Sequence, residues 1–423
     1  TAAAFKKCTL PIIVIGAFLT LFFKSDNAKF RAREGYFTVA VCWILASSIG
    51  ALPYYLSDFT NSYIDAFFEA TSGFTTTGCT AVANAVLSDG LLLWKAISHW
   101  LGGMGILVFV ISILPALGIN GQIIARAETP GPILEKMTVR ISDSAKILYI
   151  TYFSFTLLEF ILLMLSDKMS VFDAAINTMG SISTGGLLVH PDGIAYYDSF
   201  YIESVISVFC ILASINFILY HYLLTGKFSY FFKDIELRAY VIIITAAIIC
   251  TLGLMIYNDA GFESAFRDSF FQVISMATTS GYTRSPYIVW PAVCQMTLFT
   301  LMFIGGCAAS TSGSIKVIRI LVMIRLIWRG CIKRIHPRSV VAVKLGKNAE
   351  AVPAFVVSGI TSFILTYMAL LLMSTIVLSF QGISLESSFT ATLAMMSNTG
   401  AAFGETASLG NFSLFHPALK LYL

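Results

Sequence analysis

Four short stretches of this sequence end in hydroxyl or amide residues and a glycine, a combination that suits the binding of a dehydrated cation. They read DAFFEATSGFTTTG at 65–78, DAAINTMGSISTGG at 173–186, DSFFQVISMATTSG at 268–281 and SSFTATLAMMSNTG at 387–400, and they align without gaps. Carbonyl oxygens of an extended backbone can replace the water shell of a cation. Glycine permits the backbone angles required, and nearby Ser, Thr and Asn can satisfy stray amides.

An alternative explanation is that Ser, Thr and Gly are the small residues that let transmembrane helices pack closely. This explanation suits an isolated Thr-x-x-Gly. It does not account for four copies, each at the end of an apolar segment of about a dozen residues, which is too short to span a bilayer. We therefore predict four copies of one unit, which consists of a long helix, a short descending helix with a polar exit, and a second long helix.

The composition requires a membrane for these units. Of 423 residues, 57% are apolar and 12% are charged, and the mean hydropathy is +0.81, which excludes a soluble globular protein. The net charge of +4 is too small for a nucleic-acid-binding protein. About nine apolar runs approach or reach the length of a membrane span; they lie near 8–23, 36–56, 91–117, 145–166, 199–224, 239–257, 288–305, 314–328 and 353–380.

The distribution of charge predicts the orientation. Most Lys and Arg residues fall in the gaps at 24–34, 118–140, 225–238 and 316–350, which should face the cytoplasm. The opposite gaps contain only Lys168, Arg267 and Arg284 as cations, and they contain most of the carboxylates. These carboxylates either concentrate cations at an outer mouth or are ordinary solvated loop acids. They are Asp58, Asp65, Glu69, Asp89, Asp167, Asp173, Asp192, Asp198, Asp259, Glu263, Asp268, Glu386 and Glu405.

A few polar residues stand apart from these patterns. Glu159 lies within an apolar run and is a functional candidate, although a hydrogen bond to a neighbouring helix is the favoured interpretation. Lys95 and His99 lie one helical turn apart and favour interhelical contacts over a proton relay. Arg284 could repel cations or anchor its loop to an outer acid, and anchoring is favoured. The eight cysteines show no metal-ligand spacing and are interpreted as small apolar side chains.

The sequence resembles the Trk/Ktr/HKT superfamily of potassium transport proteins, and within it the TrkH/TrkG branch of bacterial uptake subunits. The resemblance covers nearly the whole chain and depends on the pore-loop motifs and on two further stretches. These motifs are TTTGC at 75–79, ISTGGL at 182–187, ATTSGY at 277–282, SNTGA at 397–401, RAETPGP at 126–132 and IGGCAASTSGSIKVIR at 304–319.

This resemblance implies an all-α polytopic membrane protein in which four M1-P-M2 repeats surround a pseudo-four-fold pore, preceded by at least one extra N-terminal helix. It implies a homodimer in the bacterial inner membrane, a cytoplasmic TrkA-type nucleotide-binding subunit as partner, and potassium as substrate with no bound cofactor. The second loop has two glycines, and the internal alignment favours the later one. The implied filter residues are Thr76, Thr77, Gly78, Thr184, Gly185, Gly186, Thr279, Ser280, Gly281, Asn398, Thr399 and Gly400.

The repeats divide the chain into five regions. The first apolar run lacks a small-residue cleavage site and is predicted to be a membrane helix and not a signal peptide. The final helix of the fourth repeat is expected to be incomplete, and an earlier N-terminal helix is expected to be missing. The regions are 1–34 with the N-terminal helix and a cytoplasmic loop, 35–140 with repeat one, 141–235 with repeat two, 236–350 with repeat three, and 351–423 with repeat four.

Small and polar residues interrupt the second long helix of repeat three at 305–314. Such backbone at membrane depth must line a cavity or be buried in protein. We hypothesise that this segment closes the pore and that Lys316 and Arg319 couple it to the regulatory subunit. The alternative is a glycine kink for close packing, with snorkelling cations at a helix end. The implied gate residues are Gly305, Gly306, Ser310, Thr311, Ser312, Gly313, Lys316 and Arg319.

The predicted function is potassium uptake through a carbonyl-lined filter, driven by membrane potential. None of the four segments has the TVGYG sequence of a tetrameric potassium channel, so the filter should be shorter and its preference over sodium is left open. The alternative is a proton- or sodium-coupled symporter, for which a two-fold repeat would be more typical. An intramembrane hydrolase is disfavoured because HExxH, GxSxG and Walker A sequences are lacking, and no enzymatic activity is predicted.

Overall fold

The computed structural model describes residues 2–22, 32–57, 59–60, 62–82, 87–105, 141–258, 260–345, 351–404 and 412–423. Across these ranges the regular structure is helical, apart from two short 3₁₀ turns and two isolated β-bridges. The helices are α1 (Ala2–Phe22), α2 (Ala32–Leu56), α3 (Tyr63–Phe74), α4 (Asp89–Gly103), α5 (Ile141–Met164), α6 (Val171–Ile182), α7 (Phe200–Ser214), α8 (Phe217–Leu224), α9 (Phe228–Phe232), α10 (Ile235–Tyr257), α11 (Phe262–Ala277), α12 (Ala292–Phe303), α13 (Val317–Ile335), α14 (Ala354–Ser379), α15 (Leu385–Met396) and α16 (Pro417–Tyr422).

Long apolar helices cross the molecule, but fewer are uninterrupted than the sequence predicts. In the described ranges, four helices are long and apolar enough to span a membrane: Ala3–Phe22, Phe37–Leu56, Ile235–Tyr257 and Ala354–Ser379. Large apolar side chains such as Leu157, Ile249 and Leu365 are exposed on helix exteriors, as lipid contact requires. The run at 145–166 is also continuous in α5, and the run at 314–328 lies mostly in α13, a continuous helix with several Arg and Lys residues. The remaining predicted runs are shorter helices, broken helices or runs that extend beyond the described residues.

The apolar run at 199–224 was predicted to be a single helix, and this prediction is wrong. It forms α7 and α8, which meet at an angle of 94°. The Asn216 side chain caps the second helix by accepting a hydrogen bond from the Ile218 N–H at 2.9 Å. A polar cap of this type favours a new helix start over continuation of the old one. Broken second helices are therefore not restricted to repeat three.

The four short helices α3, α6, α11 and α15 are the predicted half-helices. Serine starts three of them, because the Ser62, Ser170 and Ser384 side chains each accept a backbone hydrogen bond from three residues further on. The third half-helix begins a turn earlier, after Gly261. Each packs against the long helix that precedes it in its repeat, and α3, α6 and α11 also contact the helix that follows.

Some of the predicted features lie outside the described residues. These are residues 106–117 of the predicted run 91–117, the basic gap at 118–140 with its motif at 126–132, most of the basic gap at 24–34, and the outer acids Asp58, Asp259 and Glu405.

Candidate functional site

Each half-helix ends in the same unusual backbone turn. The residue after the helix has right-handed helical backbone angles. The next residue has a positive φ although it is not glycine. Left-handed backbone is uncommon for residues with a Cβ, so four cases at one register indicate one repeated local fold. The residues are Thr76 (57°), Thr184 (51°), Thr279 (58°) and Asn398 (53°).

A glycine with positive φ follows two residues later in every repeat. The angles are 78° at Gly78, 59° at Gly186, 68° at Gly281 and 70° at Gly400. Gly185 does not have a positive φ, so Gly186 is the equivalent of the other three, in agreement with the sequence alignment. We refer to 75–78, 183–186, 278–281 and 397–400 as polar segments one to four.

The backbone amides of the polar segments bond back to their own half-helices. In each segment the N–H before the final glycine donates to a carbonyl in the last turns of the half-helix. The bonds are Thr77 to Ser72 (3.0 Å), Gly185 to Gly180 (2.9 Å), Ser280 to Ser275 (3.0 Å) and Thr399 to Ala394 (2.9 Å). Among the described residues no N–H or O–H group donates to the carbonyl oxygens of the twelve predicted filter residues, and the one weak donor is the Cys79 thiol, 4.0 Å from the Gly400 carbonyl. These oxygens are therefore available to a cation.

The polar segments contact one another in a closed ring. The final glycine of each segment packs against the next segment. A Cβ placed on it would overlap the carbonyl oxygen of the residue that precedes the next segment's own final glycine. The pairs are Gly78 with Gly185, Gly186 with Ser280, Gly281 with Thr399, and Gly400 with Thr77. The order is one, two, three, four and back to one, and every contact has the same register.

A buried ion pair supports the chain just beyond segment one. The carboxylate of Glu69, on α3, accepts hydrogen bonds from the backbone N–H groups of Ala81 (2.7 Å) and Val82 (3.1 Å). Its other oxygen lies 2.8 Å from the Lys95 ammonium, and both side chains are buried. In repeat three the Gln272 amide oxygen accepts from the Arg284 N–H at 3.4 Å. Buried charges require such partners, so Lys95 makes the predicted interhelical contact.

Glu159 also has a structural partner. Its carboxylate accepts a hydrogen bond from the Ser181 hydroxyl at 2.6 Å, which joins α5 to the half-helix α6. This is the favoured interpretation of the sequence analysis. His99 is fully buried one turn after Lys95, and neither ring nitrogen has a hydrogen-bond partner among the described residues.

Arg284 anchors the chain after segment three, as predicted. Its guanidinium lies 2.9 Å from the Glu203 carboxylate and also pairs with Asp268. Glu203 additionally binds Arg267 at 2.8 Å, and hydrogen bonding to Glu203 is the main reason that the pKa of Arg267 is raised. The sequence analysis did not single out Glu203, which is buried at the start of α7.

Several predicted outer carboxylates are already paired within the chain. Asp65 binds Lys420 at 2.7 Å, Asp173 lies 3.4 Å from His190, and Asp198 lies 3.2 Å from Arg267. Asp65 and Asp198 are paired with cations and contribute less free charge to an outer mouth than the sequence count indicates. All three acids are partners of other side chains, a role that the sequence analysis did not predict for them.

The segment between α12 and α13 is a non-helical loop, and residues of other elements hold it. The Glu236 carboxylate accepts from the Ala308 and Ile318 N–H groups, each at 2.9 Å. The Cys307 N–H donates to the Ser214 carbonyl at 2.9 Å, and the Thr311 N–H donates to the Ala213 carbonyl at 3.2 Å. The break in repeat two thus provides acceptors for the break in repeat three.

This loop, 305–314, also touches polar segments three and four. The Gly313 N–H donates to the Thr279 hydroxyl at 2.7 Å. A Cβ on Gly313 would overlap the Ser397 carbonyl and crowd the Asn398 side chain. Both contacts involve the ends of the polar segments nearest the half-helices.

The two cations of the predicted gate have different surroundings. Lys316 is 3% exposed, and its ammonium binds the Ser312 carbonyl and lies 3.4 Å from the Ser310 hydroxyl. The guanidinium of Arg319 lies 3.9 Å from the centre of the Phe363 ring on α14. Lys316 therefore contacts the loop itself, and Arg319 contacts repeat four.

Other chemistry is not supported in the described part of the chain. No group of three His, Cys, Asp or Glu residues there could hold a metal ion, and the eight cysteines are free. Glu236 is the main site residue that the sequence analysis missed. The only feature of the sequence that pointed to Glu236 is that it is a carboxylate in the gap at 225–238, whose other charges are mostly cations.

Comparison with known proteins agrees over nearly the whole chain. A family model described as TrkH, a cation transport protein, matches residues 2–419. The Trk system potassium uptake protein TrkH of Escherichia coli (strain K12) is 34% identical over 99% of this chain and 87% of that protein. TrkG of the same strain is 31% identical over 91% of this chain and 80% of that protein. The crystal structure of the potassium transporter TrkH from Vibrio parahaemolyticus superposes with a TM-score of 0.87 at 31% identity, and the match covers 99% of this chain and 87% of that one.

Proposed function

Because this chain belongs to the TrkH family of cation transport proteins, we propose that it takes up potassium across the bacterial inner membrane through a carbonyl-lined filter. The family is a transport family and not an enzyme family. The filter consists of the four polar segments, and the M1-P-M2 repeats surround it in a pseudo-four-fold arrangement.

The closed ring of contacts is the observation that carries this proposal. Four backbones with the same angles meet in one register, and their amides bond to their own half-helices. Among the described residues no N–H or O–H group donates to the carbonyls of the twelve predicted filter residues, and the Cys79 thiol at 4.0 Å from the Gly400 carbonyl is the one weak donor. A dehydrated cation requires oxygen ligands on several sides. A ring of four such segments supplies them, and membrane potential drives the ion inward.

The test is ion flux in proteoliposomes under an imposed voltage, with potassium, rubidium and sodium compared. Gly281→Ser should reduce the preference for potassium at least tenfold, because its Cβ would overlap the Thr399 carbonyl and its φ is 68°. Gly359→Ser is the matched control, since nothing lies within 4 Å of a Cβ at that position on α14. An unchanged preference in Gly281→Ser would refute the filter.

The same measurement separates a conduit from the alternative, a proton- or sodium-coupled symporter. A conduit conducts potassium under voltage alone. Flux that requires a proton or sodium gradient and is unaffected by Gly281→Ser would support the symporter.

We assign loop 305–314 the role of a gate beneath the filter. Its contact with Thr279, Ser397 and Asn398 puts it against two of the four polar segments. Lys316 acts as an internal latch, because its ammonium binds loop carbonyls. Deletion of three or four loop residues should raise flux in the absence of any regulator. Flux that stays at the wild-type level would rule out the gate.

The regulatory partner in this proposal is a cytoplasmic TrkA-type nucleotide-binding subunit, and the assembly is a homodimer. The exposed cations Arg325, Lys333 and Arg334 are on α13, the helix that follows the gate, and they provide a surface for the regulatory subunit. Co-purification with that subunit, before and after neutralisation of these three cations, tests the contact.

A further inference from the structure

Polar segment two differs from the other three at one position. Immediately before the final glycine, the other segments carry the hydroxyl residues Thr77, Ser280 and Thr399, whereas segment two carries Gly185. The difference matters because this position is buried in all of them. A hydroxyl behind a filter strand can fix the strand through hydrogen bonds.

The three hydroxyls form equivalent bonds behind their segments. The Thr77 hydroxyl lies 2.7 Å from that of Thr75, and the Thr399 hydroxyl lies 2.7 Å from that of Ser397. In segment three the Thr278 hydroxyl donates to the Ser280 hydroxyl at 3.2 Å. Segment two has the first member of this pair, Ser183, whose hydroxyl donates to the Met179 carbonyl at 2.6 Å, as the hydroxyls of Thr75 and Thr278 donate to their own half-helices. It lacks the second member, because position 185 is a glycine.

The imidazole of His99 fills the corresponding space in segment two. The three atoms nearest to a Cβ built on Gly185 are Nδ1, Cε1 and Cγ of His99, and Nδ1 would overlap that Cβ. Gly185 lacks the positive φ of Gly186, so its backbone angles do not require glycine. Glycine is required at position 185 because the histidine ring leaves no room for a Cβ.

His99 is buried, and it makes no hydrogen bond to any described residue. Buried polar groups without partners are rare and need an explanation. Its helix, α4, is fixed one turn earlier by the ion pair of Lys95 with Glu69. The ring is thus held beside segment two by repeat one.

We propose that His99 is a positioning residue for the filter, and this proposal rests on the function proposed above. Its imidazole supplies from repeat one the polar side chain behind segment two that Thr77, Ser280 and Thr399 supply for their own segments. Segment two therefore takes the polar side chain at this position from a neighbouring repeat, whereas the other three segments carry their own.

Reciprocal substitution tests this arrangement. His99→Ala leaves a cavity behind segment two, and Gly185→Ser brings a Cβ into the histidine ring. Each single change should lower the potassium-to-sodium flux ratio about tenfold, because overpacking and cavities both displace the segment. The double variant His99→Ala with Gly185→Ser should recover most of the wild-type ratio, since it gives segment two its own hydroxyl.

Gly186→Ser is the matched control. Its Cβ would overlap the Ser280 carbonyl and its φ is 59°, so removal of the His99 ring should not rescue it. A merely structural role for His99 would not produce rescue at position 185 together with failure at position 186. Detergent-solubilised thermal unfolding verifies that each variant is folded, and His99→Gln, which retains polar atoms, replaces His99→Ala if the alanine variant does not fold.

The outcomes separate this proposal from the filter itself. Rescue restricted to Gly185→Ser supports the positioning role of His99. A folded double variant no better than the worse single variant, or a His99→Ala variant with the wild-type ratio, overturns it. If Gly186→Ser and Gly281→Ser also leave the ratio unchanged, the filter proposal fails as well.

Discussion

The polar segments and loop 305–314 are both non-helical backbone inside a helical membrane protein, but their hydrogen bonds come from different places. Each polar segment bonds to the half-helix that immediately precedes it. The loop instead bonds to Glu236, Ser214 and Thr279, which belong to other elements. A segment held by its own helix is fixed once that helix forms. A loop held by distant groups can be released when one of those groups moves.

This difference implies separable phenotypes. Changes near the polar segments should alter ion preference, and changes to the groups that hold the loop should alter the rate of unregulated flux. The segments are also repeated four times, whereas a loop like 305–314 occurs once in the described part of the chain. One altered loop contact therefore has no equivalent elsewhere to compensate for it.

The largest expected effect is at the buried ion pair behind segment one. Lys95→Met leaves the Glu69 carboxylate buried without its 2.8 Å cation partner, which costs about 3–5 kcal/mol. The thermal midpoint should fall, and the potassium preference should fall with it. The double variant Lys95→Met with Glu69→Gln should recover both, because repeat three uses Gln272 at the equivalent position. A double variant as damaged as Lys95→Met would mean that the charge pair itself is required.

Glu236→Ala should give the next largest effect, and it should act on flux and not on preference. The change removes the acceptor of the Ala308 and Ile318 N–H groups, at roughly 1–3 kcal/mol for each unsatisfied donor. Regulator-free potassium flux should rise about tenfold or more, since every 1.4 kcal/mol changes a population about tenfold. Glu236→Gln keeps one acceptor oxygen and should show a smaller rise. A lowered potassium preference with unchanged flux would contradict the separation of roles between the polar segments and loop 305–314.

The sequence predicted the repeated parts of this molecule better than the unique ones. The register of the four segments followed from their internal alignment, because a shared backbone turn requires similar residues at the same positions. The structure has the expected glycine angles at Gly78, Gly186, Gly281 and Gly400. The anchoring of Arg284 and the helix contact of Glu159 were also predicted, since an isolated charge near an apolar region needs a partner.

The unpredicted features depend on pairs of residues far apart in the chain. The bend at Asn216 was hidden in an apolar run, and its only local signal was one residue that favours helix starts. Glu236 binds amides more than seventy positions away, and no local pattern indicates such a contact. The ring order of the segments similarly requires the packing of whole repeats.

Ala309→Gly should have a smaller effect of opposite sign. Ala309 is in loop 305–314 and has a φ of 53°, which glycine adopts without the roughly 1 kcal/mol penalty of a side chain. Relief of this strain should favour the closed loop and lower regulator-free flux several-fold. The gain is reduced by the greater freedom that glycine has in the open loop. A rise in flux would indicate that the strained angle helps to hold the loop closed.

Ser72→Ala should have the smallest effect, and the repeats themselves provide the reason. The Ser72 hydroxyl donates to the Cys79 carbonyl at 2.6 Å, and Ser275 makes the same bond to Tyr282. The equivalent residues of segments two and four are Gly180 and Ala394, which cannot make it. Because half of the ring lacks this bond, its loss should cost about 1 kcal/mol of stability and leave the potassium-to-sodium flux ratio within about twofold of wild type. A tenfold loss of preference from Ser72→Ala, measured beside Ser98→Ala on α4 as a control, would mean that the four segments are not interchangeable supports and that segment one dominates selectivity.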